Sequence, residues 1–244
     1  MNAIEMRNVS KRFGTKTAVD RMSLAVQEGE LFALLGVNGA GKTTSIRMLS
    51  CLSQPTEGEC FICGHSCTKE REQVKALIGI SPQDTAVAEN LTVRENLQFM
   101  ARVQGFDTEK TEKKTDAIIA LFHMQDVADS RAKTLSGGWK RKLSIAMALI
   151  GEPKVLFLDE PTLGLDVLAR REMWKAIADL KGKITILLTT HYMEEAEHLA
   201  DRIAVMMKGK LAALGTLAQL EAETGKQGLE EAFVALAERG EYHA

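Results

Sequence analysis

An unbroken apolar run, a glycine-rich octapeptide and a helical pattern follow one another between residues 31 and 52. The run LFALL at 31–35 is typical of a strand that is covered on both faces in a mostly parallel sheet. Ile46, Leu49 and the more distant Leu52 then recur at helical spacing, so a helix is expected from Lys42 to Leu52. The octapeptide GVNGAGKT lies between them. The sequence therefore predicts a buried strand, a glycine loop and a helix in direct succession.

The octapeptide fits the phosphate-binding P-loop pattern, and it has the strand and the helix on either side that this pattern requires. Glycines let successive backbone N–H groups turn toward a polyphosphate without a Cβ clash, and the helix N-terminus adds positive potential there. Lys42 is expected to reach the β- and γ-phosphates, while Thr43 ligates Mg²⁺ and Thr44 supplies a second hydroxyl. The residues predicted to bind a nucleotide are Gly36, Val37, Asn38, Gly39, Ala40, Gly41, Lys42, Thr43 and Thr44.

Two adjacent acids, Asp159 and Glu160, end a second apolar run, VLFL at 155–158. Two charges at the end of a buried strand are costly unless a cation or hydrogen bonds compensate them, which favours an Mg²⁺ ion shared by Asp159 and Thr43. Glu160, one residue further along, points elsewhere and is predicted to be the general base that accepts a proton from an attacking water. An acidic surface turn without chemistry is the alternative.

The rest of the chain alternates between strand and helix patterns. Residues 4–26 are expected to form short antiparallel hairpins, and the composition becomes helical between about 84 and 150. Strand patterns return at 155–158 and 184–188 with a helical segment between them, as expected of a crossover unit in an α/β core. From Leu229 onward a packed terminal helix is expected.

These segments and several shorter ones resemble the ATP-binding cassette (ABC) ATPase family over nearly the whole chain and in the family's order. LSGG at 135–138 resembles the family signature, Gln83 the Q-loop glutamine, LGLD at 163–166 the D-loop and His191 the switch histidine. Phe13 matches the aromatic that stacks on adenine in the family, although a lone core Phe would look the same. The resemblance implies that Glu160, His191, Gln83 and Lys42 are catalytic, that Thr43, Gln83 and Asp159 hold Mg²⁺, and that Phe13, Ser136, Gly137, Gly138 and Asp166 bind ATP together with the glycine loop.

By this resemblance the fold is an α/β P-loop NTPase (RecA-like) core with an N-terminal antiparallel β-subdomain and an inserted helical subdomain. A single ABC ATPase domain is expected over residues 1–244. Residues 1–83 and 151–215 are assigned to the RecA-like core with the antiparallel β-subdomain, residues 84–150 to the helical signature subdomain, and residues 216–244 to a short C-terminal helical tail.

The resemblance also implies a head-to-tail dimer with a second copy of the chain or a paralogous ATPase subunit. Each ATP then lies between the glycine loop of one subunit and the signature of the other. Ser136 precedes two glycines and a helical run, which makes another amide-rich anion site that needs a phosphate. Trp139 departs from the family, which normally has Gln there, so hydrolysis is expected to survive at an altered rate.

The segment TTHYMEEAE at 189–197, followed by ADRI at 200–203, resembles subfamilies that power ABC-2 type exporters of drugs, antibiotics or polysaccharides. The chain is therefore interpreted as the ATP-hydrolysing subunit of an exporter, driving a separate integral membrane permease, with the cargo left open. Two alternatives remain: a soluble non-transport ABC ATPase acting on nucleic acid or ribosomes, and a weakly hydrolysing nucleotide-dependent regulator.

Length, composition and charge bear on which of these functions the chain can have. A chain of 244 residues that is 45% hydrophobic can bury one sizeable core, while its longest apolar runs are far shorter than the roughly 20 residues of a membrane-spanning helix. The N-terminus lacks the pattern of a secretion signal, so the chain is expected at the cytoplasmic face of the cell membrane, held there by the permease. A net charge of -2 gives no clustered basic surface, so nucleic acid is not expected as a partner.

Three cysteines, Cys60, Cys63 and Cys67, cluster around His65 in the sequence and superficially suggest a metal site. In a predicted short strand at 58–64, alternation sends Cys60 and Cys63 to opposite faces, which disfavours shared ligation. Buried or idle thiols are the expectation, with a structural metal as the alternative.

Overall fold

The computed structural model describes residues 1–242, which form two β-sheets and a set of helices packed on them. The strands are β1 (Asn2–Phe13), β2 (Lys16–Gln27), β3 (Leu31–Leu35), β4 (Glu57–Ile62), β5 (His65–Ser66), β6 (Ile78–Ser81), β7 (Val155–Asp159), β8 (Thr185–Thr190), β9 (Arg202–Met207) and β10 (Lys210–Gly215). The helices are α1 (Lys42–Leu49), α2 (Arg71–Leu77), α3 (Val93–Val103), α4 (Thr108–Leu121), α5 (Gly137–Leu149), α6 (Val167–Ala178), α7 (Met193–Leu199), α8 (Leu217–Thr224) and α9 (Leu229–Tyr242).

The larger sheet has the strand order β10-β9-β3-β8-β7-β6, and only the β9–β10 pairing in it is antiparallel. The smaller sheet, β2-β1-β4-β5, is antiparallel throughout. The predicted α/β fold with an antiparallel N-terminal sheet is therefore confirmed. In the parallel register Leu35 pairs with Thr190, and Asp159 with Thr189. This register brings the carboxyl ends of β3, β7 and β8 to one edge of the sheet.

The continuous apolar runs are explained by burial on both faces of the larger sheet. In β3, Leu31, Ala33 and Leu35 pack into a core shared with the helices α5, α6 and α7, whereas Phe32 and Leu34 pack into a second core against α1 and the smaller sheet. The strands β7 and β8 alternate in the same way. Because neither face meets water, the two-residue alternation of an amphipathic strand disappears from the sequence.

Two sequence-based boundaries need correction. The helix α1 ends at Leu49 rather than at Leu52, since Cys51 adopts a left-handed φ of 62° that breaks the helix, and the side chain of Leu52 is 64% exposed. Residues 4–26 form two twelve-residue strands with a turn at Gly14, not several short hairpins. Long paired strands satisfy the backbone of this segment in one ladder.

The helices α3, α4 and α5 fall within the predicted helical insertion, and α8 and α9 within the predicted tail. The terminal helix packs as expected, because Leu229, Phe233 and Leu236 join the core beside α7. The exact limits of the subdomains stay predictions. No helix among the described residues is long and apolar enough to span a membrane.

The cysteines for which buried or idle thiols were expected lie in two different surroundings. Cys60 and Cys67 are buried in the core under the smaller sheet, whereas Cys63 lies half-buried in a surface hollow near Glu28 and Lys154. Burial raises the pKa of the Cys60 thiol to about 12, with the neighbouring Cys51 adding to the effect. Within residues 1–242 no group of three or more His, Cys, Asp or Glu side chains is placed to hold a metal ion.

Candidate functional site

The glycine loop runs from the end of β3 at Leu35 to the first residue of α1. Neighbouring backbone groups of the same chain restrict its conformation at two glycines. Gly41 has a φ of +108°, and a Cβ atom there would lie 2.4 Å from the carbonyl oxygen of Ala18 in the smaller sheet. A Cβ atom on Gly36 would lie 2.6 Å from the carbonyl oxygen of Met206 in β9. These contacts are too short for any residue with a side chain, so the two glycines are required by the fold itself.

Lys42, Glu160 and His191 form a connected cluster at the edge of the larger sheet. Lys42 is only 6% exposed, and its Nζ donates to the carbonyl oxygens of Gly36 at 2.6 Å and Val37 at 3.4 Å. The same Nζ lies 3.1 Å from Oε1 of Glu160. The second carboxylate oxygen of Glu160, Oε2, lies 2.7 Å from Nδ1 of His191. A buried carboxylate is stable only with such partners, and here one comes from the glycine loop and one from the end of β8.

Asp159 faces a different group of side chains. Its Oδ1 accepts a hydrogen bond from the hydroxyl of Thr43 at 3.2 Å and another from the hydroxyl of Thr189 at 2.5 Å. Asp159 is buried at the end of β7, while Thr43 is exposed on the first turn of α1. The two adjacent acids thus point to separate partners, Asp159 to hydroxyls and Glu160 to the side-chain nitrogens of Lys42 and His191.

The glycine loop, the cluster around Glu160 and the aromatic Phe13 share one open cavity of about 500 Å³. Phe13 is 54% exposed at the end of β1, and Gln83 reaches the cavity from the segment after β6. An exposed aromatic ring beside an amide-rich loop offers an apolar face next to a polar one. The cavity is lined by Phe13, Lys16, Ala18, Asn38, Gly39, Ala40, Gly41, Lys42, Thr43, Thr44, Gln83, Glu160, Leu163 and His191.

The remaining predicted residues lie outside this cavity. Ser136 caps α5, with its hydroxyl oxygen 3.5 Å from the N–H of Trp139, and both Ser136 and Gly137 are exposed. Within the described part of the chain, a Cβ atom on Gly137 would meet no heavy atom within 4 Å. Asp166 caps α6 by accepting from the N–H groups of Leu168 and Ala169. Gly36 and Val37 shape the loop through their carbonyls, as described above.

Arg141 joins the helix α5 to the Q-loop segment, residues 82–83. Its guanidinium is buried and donates to the carbonyl oxygens of Pro82 at 2.7 Å and Gln83 at 2.5 Å. Burial lowers the pKa of Arg141, and the negative charge of Asp159 opposes that effect. A buried cation that bonds only neutral carbonyls is costly to keep, so the link fixes the backbone of Gln83 relative to the signature helix at a cost in stability.

Trp139, the departure from the family signature, turns toward its own subunit. Its ring is half-buried against the core, and Nζ of Lys142 lies 4.6 Å from the ring centroid. Lys142 in turn pairs with Glu172 of α6. The indole therefore contributes packing and a cation–π contact, while the N–H groups at the start of α5 stay on the exposed side.

Several residues of the site were missed in the sequence. Thr189 carries a detectable signal, because it ends a buried strand parallel to the one that delivers Asp159, and adjacent parallel strands end at the same edge. Lys16 and Ala18 enter the cavity from β2 through the pairing of two sheets, which no local pattern reports. The same holds for Arg141, whose partners lie 58 and 59 residues away.

The model of the ABC transporter family matches residues 19–163 of the chain. The daunorubicin resistance ATP-binding protein DrrA3 of Streptomyces coeruleorubidus is 40% identical over 99% of this chain and 76% of its own length. The Nod factor export ATP-binding protein I of Burkholderia lata is 42% identical over 93% of this chain and 75% of its own length. The human phospholipid-transporting ATPase ABCA3 is 41% identical over 91% of this chain, which spans only 13% of that protein.

Among solved structures, an ATP-binding subunit of an ABC transporter superposes with a TM-score of 0.86 and 29% identity. The match covers 96% of this chain and 99% of that one. The likeness therefore extends through both sheets and the helices between them.

Proposed function

The chain belongs to the ABC transporter family as an ATP-binding, ATP-hydrolysing subunit, and on that basis we propose that it powers export through a separate membrane permease. One observation carries the proposal. The glycine loop, Phe13, Glu160 and His191 share one cavity, whereas the signature at Ser136 faces outward from another part of the same chain. In the described part of a single subunit, the glycine loop and Ser136 thus line no common cavity.

In the first half of the nucleotide site, we assign the triphosphate of ATP to the glycine loop and the adenine ring to Phe13. The N–H groups at the start of α1 and the ammonium of Lys42 supply the positive potential for the phosphates. Lys42 then exchanges its contact with Glu160 for the phosphate charge. Glu160, still beside His191, is left to orient the attacking water and accept its proton.

The residues present suit Mg²⁺. The carboxylate of Asp159, the hydroxyl of Thr43 that bonds to it, and the amide oxygen of Gln83 are the hard oxygen donors that this ion prefers. When bound with the nucleotide, Mg²⁺ would neutralise charge that develops on the phosphates. Thr189 holds Asp159 in place by its 2.5 Å hydrogen bond.

We propose that the second half comes from another subunit, either a copy of this chain or a paralogue. The exposed start of α5 offers free N–H groups and positive dipole potential to a phosphate. Next to Asp166, Val167 and Leu168 are 64% and 75% exposed, which is unusual for adjacent apolar residues of a water-facing helix. A head-to-tail dimer covers them and places the signature over the partner's glycine loop.

A groove between the helical insertion and the larger sheet is our candidate contact for the permease. It is lined by apolar side chains of both parts, including Leu52, Ile80, Pro82 and Met100. Because Pro82 adjoins Gln83, a protein seated there would sense changes at the nucleotide cavity. The export-associated relatives support the direction of transport, and we propose that contact with a permease holds the chain at the cytoplasmic face of the membrane.

The test is reconstitution. The chain and a candidate ABC-2 type permease from the same organism, purified together and placed in vesicles, should show ATP hydrolysis that rises with the permease present and falls to background in Glu160→Gln. A matched Glu197→Gln variant, altered at an exposed acid of α7, should hydrolyse normally. Stimulation by ribosomes or DNA in place of the permease would contradict the transport role, and unmeasurable hydrolysis under all conditions would contradict the enzymatic one.

A further inference from the structure

Glu195 is a fully buried carboxyl group that the reaction steps above do not use. It lies in α7, just after His191, and is 0% exposed. Its Oε1 accepts a hydrogen bond from the hydroxyl of Thr162 at 2.8 Å and another from Nε1 of Trp174 at 3.2 Å. Thr162 belongs to the turn that follows Glu160, and Trp174 to α6. One carboxyl oxygen therefore joins three segments of the chain.

The turn at Glu160 has a backbone conformation that needs support. Glu160 has a φ of +51°, in the left-handed region that is unfavourable for residues with a side chain. Its N–H donates to the carbonyl and hydroxyl oxygens of Thr189, both at 3.1 Å, and its carbonyl accepts from the N–H of Leu163 at 3.2 Å. A residue in such a conformation persists only where several contacts hold it.

We propose that Glu195 is a positioning residue for ATP hydrolysis, anchoring the Glu160 turn to α7 through Thr162 and so keeping Glu160 in register with His191. The inference rests on the proposed role of Glu160 as general base. Glu160 begins the turn and His191 stands two residues before α7, so the bond from Thr162 to Glu195 ties together the two segments whose side chains meet at 2.7 Å. Without this bond the turn can relax toward an ordinary φ and carry the Glu160 carboxylate away.

The surroundings of Glu195 favour its neutral form. Its Oε1 accepts from two uncharged donors, and its Oε2 has no well-aligned hydrogen-bond partner among the residues described, although the nearby hydroxyl of Thr190 acts to lower the pKa of Glu195. The charged or titratable groups around it are Glu160 from the turn, Arg141 from α5, whose guanidinium bonds the Q-loop backbone instead, and His198, which stacks on Trp174. Burial, and to a smaller extent Glu160, raises the pKa of Glu195. A neutral acid anchors the turn without placing a second negative charge beside Glu160.

Because Oε1 of Glu195 accepts from two donors, variants of each donor can distinguish a role in anchoring the Glu160 turn from a role in core packing. Thr162→Val keeps the shape of the side chain but removes the donor on the turn, and we expect kcat to fall by about 10- to 100-fold with KM for ATP little changed, as for a misplaced catalytic group. Thr162→Ser retains the hydroxyl and should restore most of kcat. Trp174→Phe removes the other donor, so it should lower Tm but leave kcat near that of the wild type.

Glu195 itself is tested by a matched pair. Glu195→Gln keeps an acceptor oxygen for both donors, so kcat should stay within about fivefold of the wild type. In kcat Glu195→Ala should match Thr162→Val, and combining the two should cause no further loss of kcat, because both remove the hydrogen bond between Thr162 and Glu195. A normal kcat in Thr162→Val overturns the proposal, as does an equal loss in Trp174→Phe. If Glu195→Gln loses as much activity as Glu195→Ala, the inference that Glu195 acts in its neutral form is wrong.

A Glu160→Gln control separates this inference from the proposed function. If Glu160→Gln retains turnover, the general-base assignment fails whatever the Glu195 variants do. If Glu160→Gln is inactive while Thr162→Val and Glu195→Ala turn over normally, only the positioning role fails. Should Glu195→Ala not fold, the Thr162→Val and Thr162→Ser pair still decides the outcome.

Discussion

The chain presents two glycine-containing helix starts to solvent, and they differ in what surrounds them. The start of α1 is enclosed: Glu160 and Asp159 contact its first residues, and the fold itself requires Gly36 and Gly41. The start of α5 is open, and Gly137 has no left-handed φ and has free space where a Cβ atom would stand. Because nothing among residues 1–242 requires a glycine at position 137, its position favours close approach by a group from outside the chain.

This contrast supports the proposed division of the nucleotide site between two subunits. The α1 half, to which we assign the triphosphate, is built within one chain. The α5 half has N–H groups and a serine hydroxyl, and Gly137 shares an open hollow with Gln83 and Leu163 of its own chain. An enclosed half-site and an open half-site can complete each other in a head-to-tail dimer. Nucleotide binding and dimer formation are then thermodynamically coupled.

The largest effect is expected in the enclosed half. Glu160→Gln removes the proposed base but keeps the shape of the side chain, so kcat should fall by about 10²- to 10⁴-fold while ATP still binds. Steady-state hydrolysis and nucleotide titration of the same sample measure the two properties. Lys42→Ala is the contrasting variant, since it should lose nucleotide binding as well. Equal loss of binding in both variants would show that Glu160 supports the loop and not the chemistry.

A substitution at the start of α5 should change stability and activity in opposite directions. In Gly137→Asp the new carboxylate lies in the first turn of α5, where it stabilises the helix by about 0.3–1 kcal/mol. The same charge should repel a partner's phosphate and lower kcat by about 100-fold. Thermal unfolding and hydrolysis are measured together, with Gly137→Ala as the control for size. A variant that is stable and fully active would remove the reason for placing a phosphate at this helix.

A smaller effect is expected for Arg141, which links the signature helix α5 to the Gln83 segment beside the nucleotide cavity. Arg141→Met keeps the length of the side chain but leaves the carbonyls of Pro82 and Gln83 without their donor. We expect kcat to fall by about tenfold with ATP affinity nearly unchanged, because hydrogen bonds from a charged group contribute more than neutral ones. Arg141→Lys, which cannot span both carbonyls, should be intermediate. An unchanged rate in Arg141→Met would mean that the halves communicate elsewhere.

The smallest effect concerns pH and stability within the enclosed half. Because burial raises the pKa of Glu195 above its ordinary value of 4.5, the folded protein holds a proton there that the unfolded chain releases. The stabilisation is fully present below pH 4.5 and is lost as pH rises through the raised pKa, with a slope of at most about 1.4 kcal/mol per pH unit. Denaturant unfolding should show wild type losing stability relative to Glu195→Gln over that range. If the stability difference between wild type and Glu195→Gln does not depend on pH, or changes with pH in the opposite direction, the raised pKa of Glu195 is contradicted.

The enclosed half was largely predictable from sequence because its parts are local. A buried strand, its loop and the following helix stand next to each other, and Asp159 and Glu160 directly follow another apolar run. The parallel register then brings the two strand ends together. Local order of this kind leaves a pattern in a single sequence.

The supporting contacts were not predictable in the same way. Thr162 meets Glu195 across 33 residues, and Arg141 meets Gln83 across 58. In the sequence Glu195 is one of several acids in an amphipathic helix, and only the packing of α7 against α6 makes it a buried anchor. The early end of α1 also depended on the backbone of Cys51, a residue type that gives no signal for a left-handed φ.

The most direct test of shared nucleotide sites is the association state of the Glu160→Gln variant, measured by sedimentation velocity with ATP and Mg²⁺. Shared sites require a stable dimer in the presence of ATP, a monomer without nucleotide, and a monomer in both conditions once Gly137→Asp is added. A Glu160→Gln protein that binds ATP and remains monomeric would contradict them.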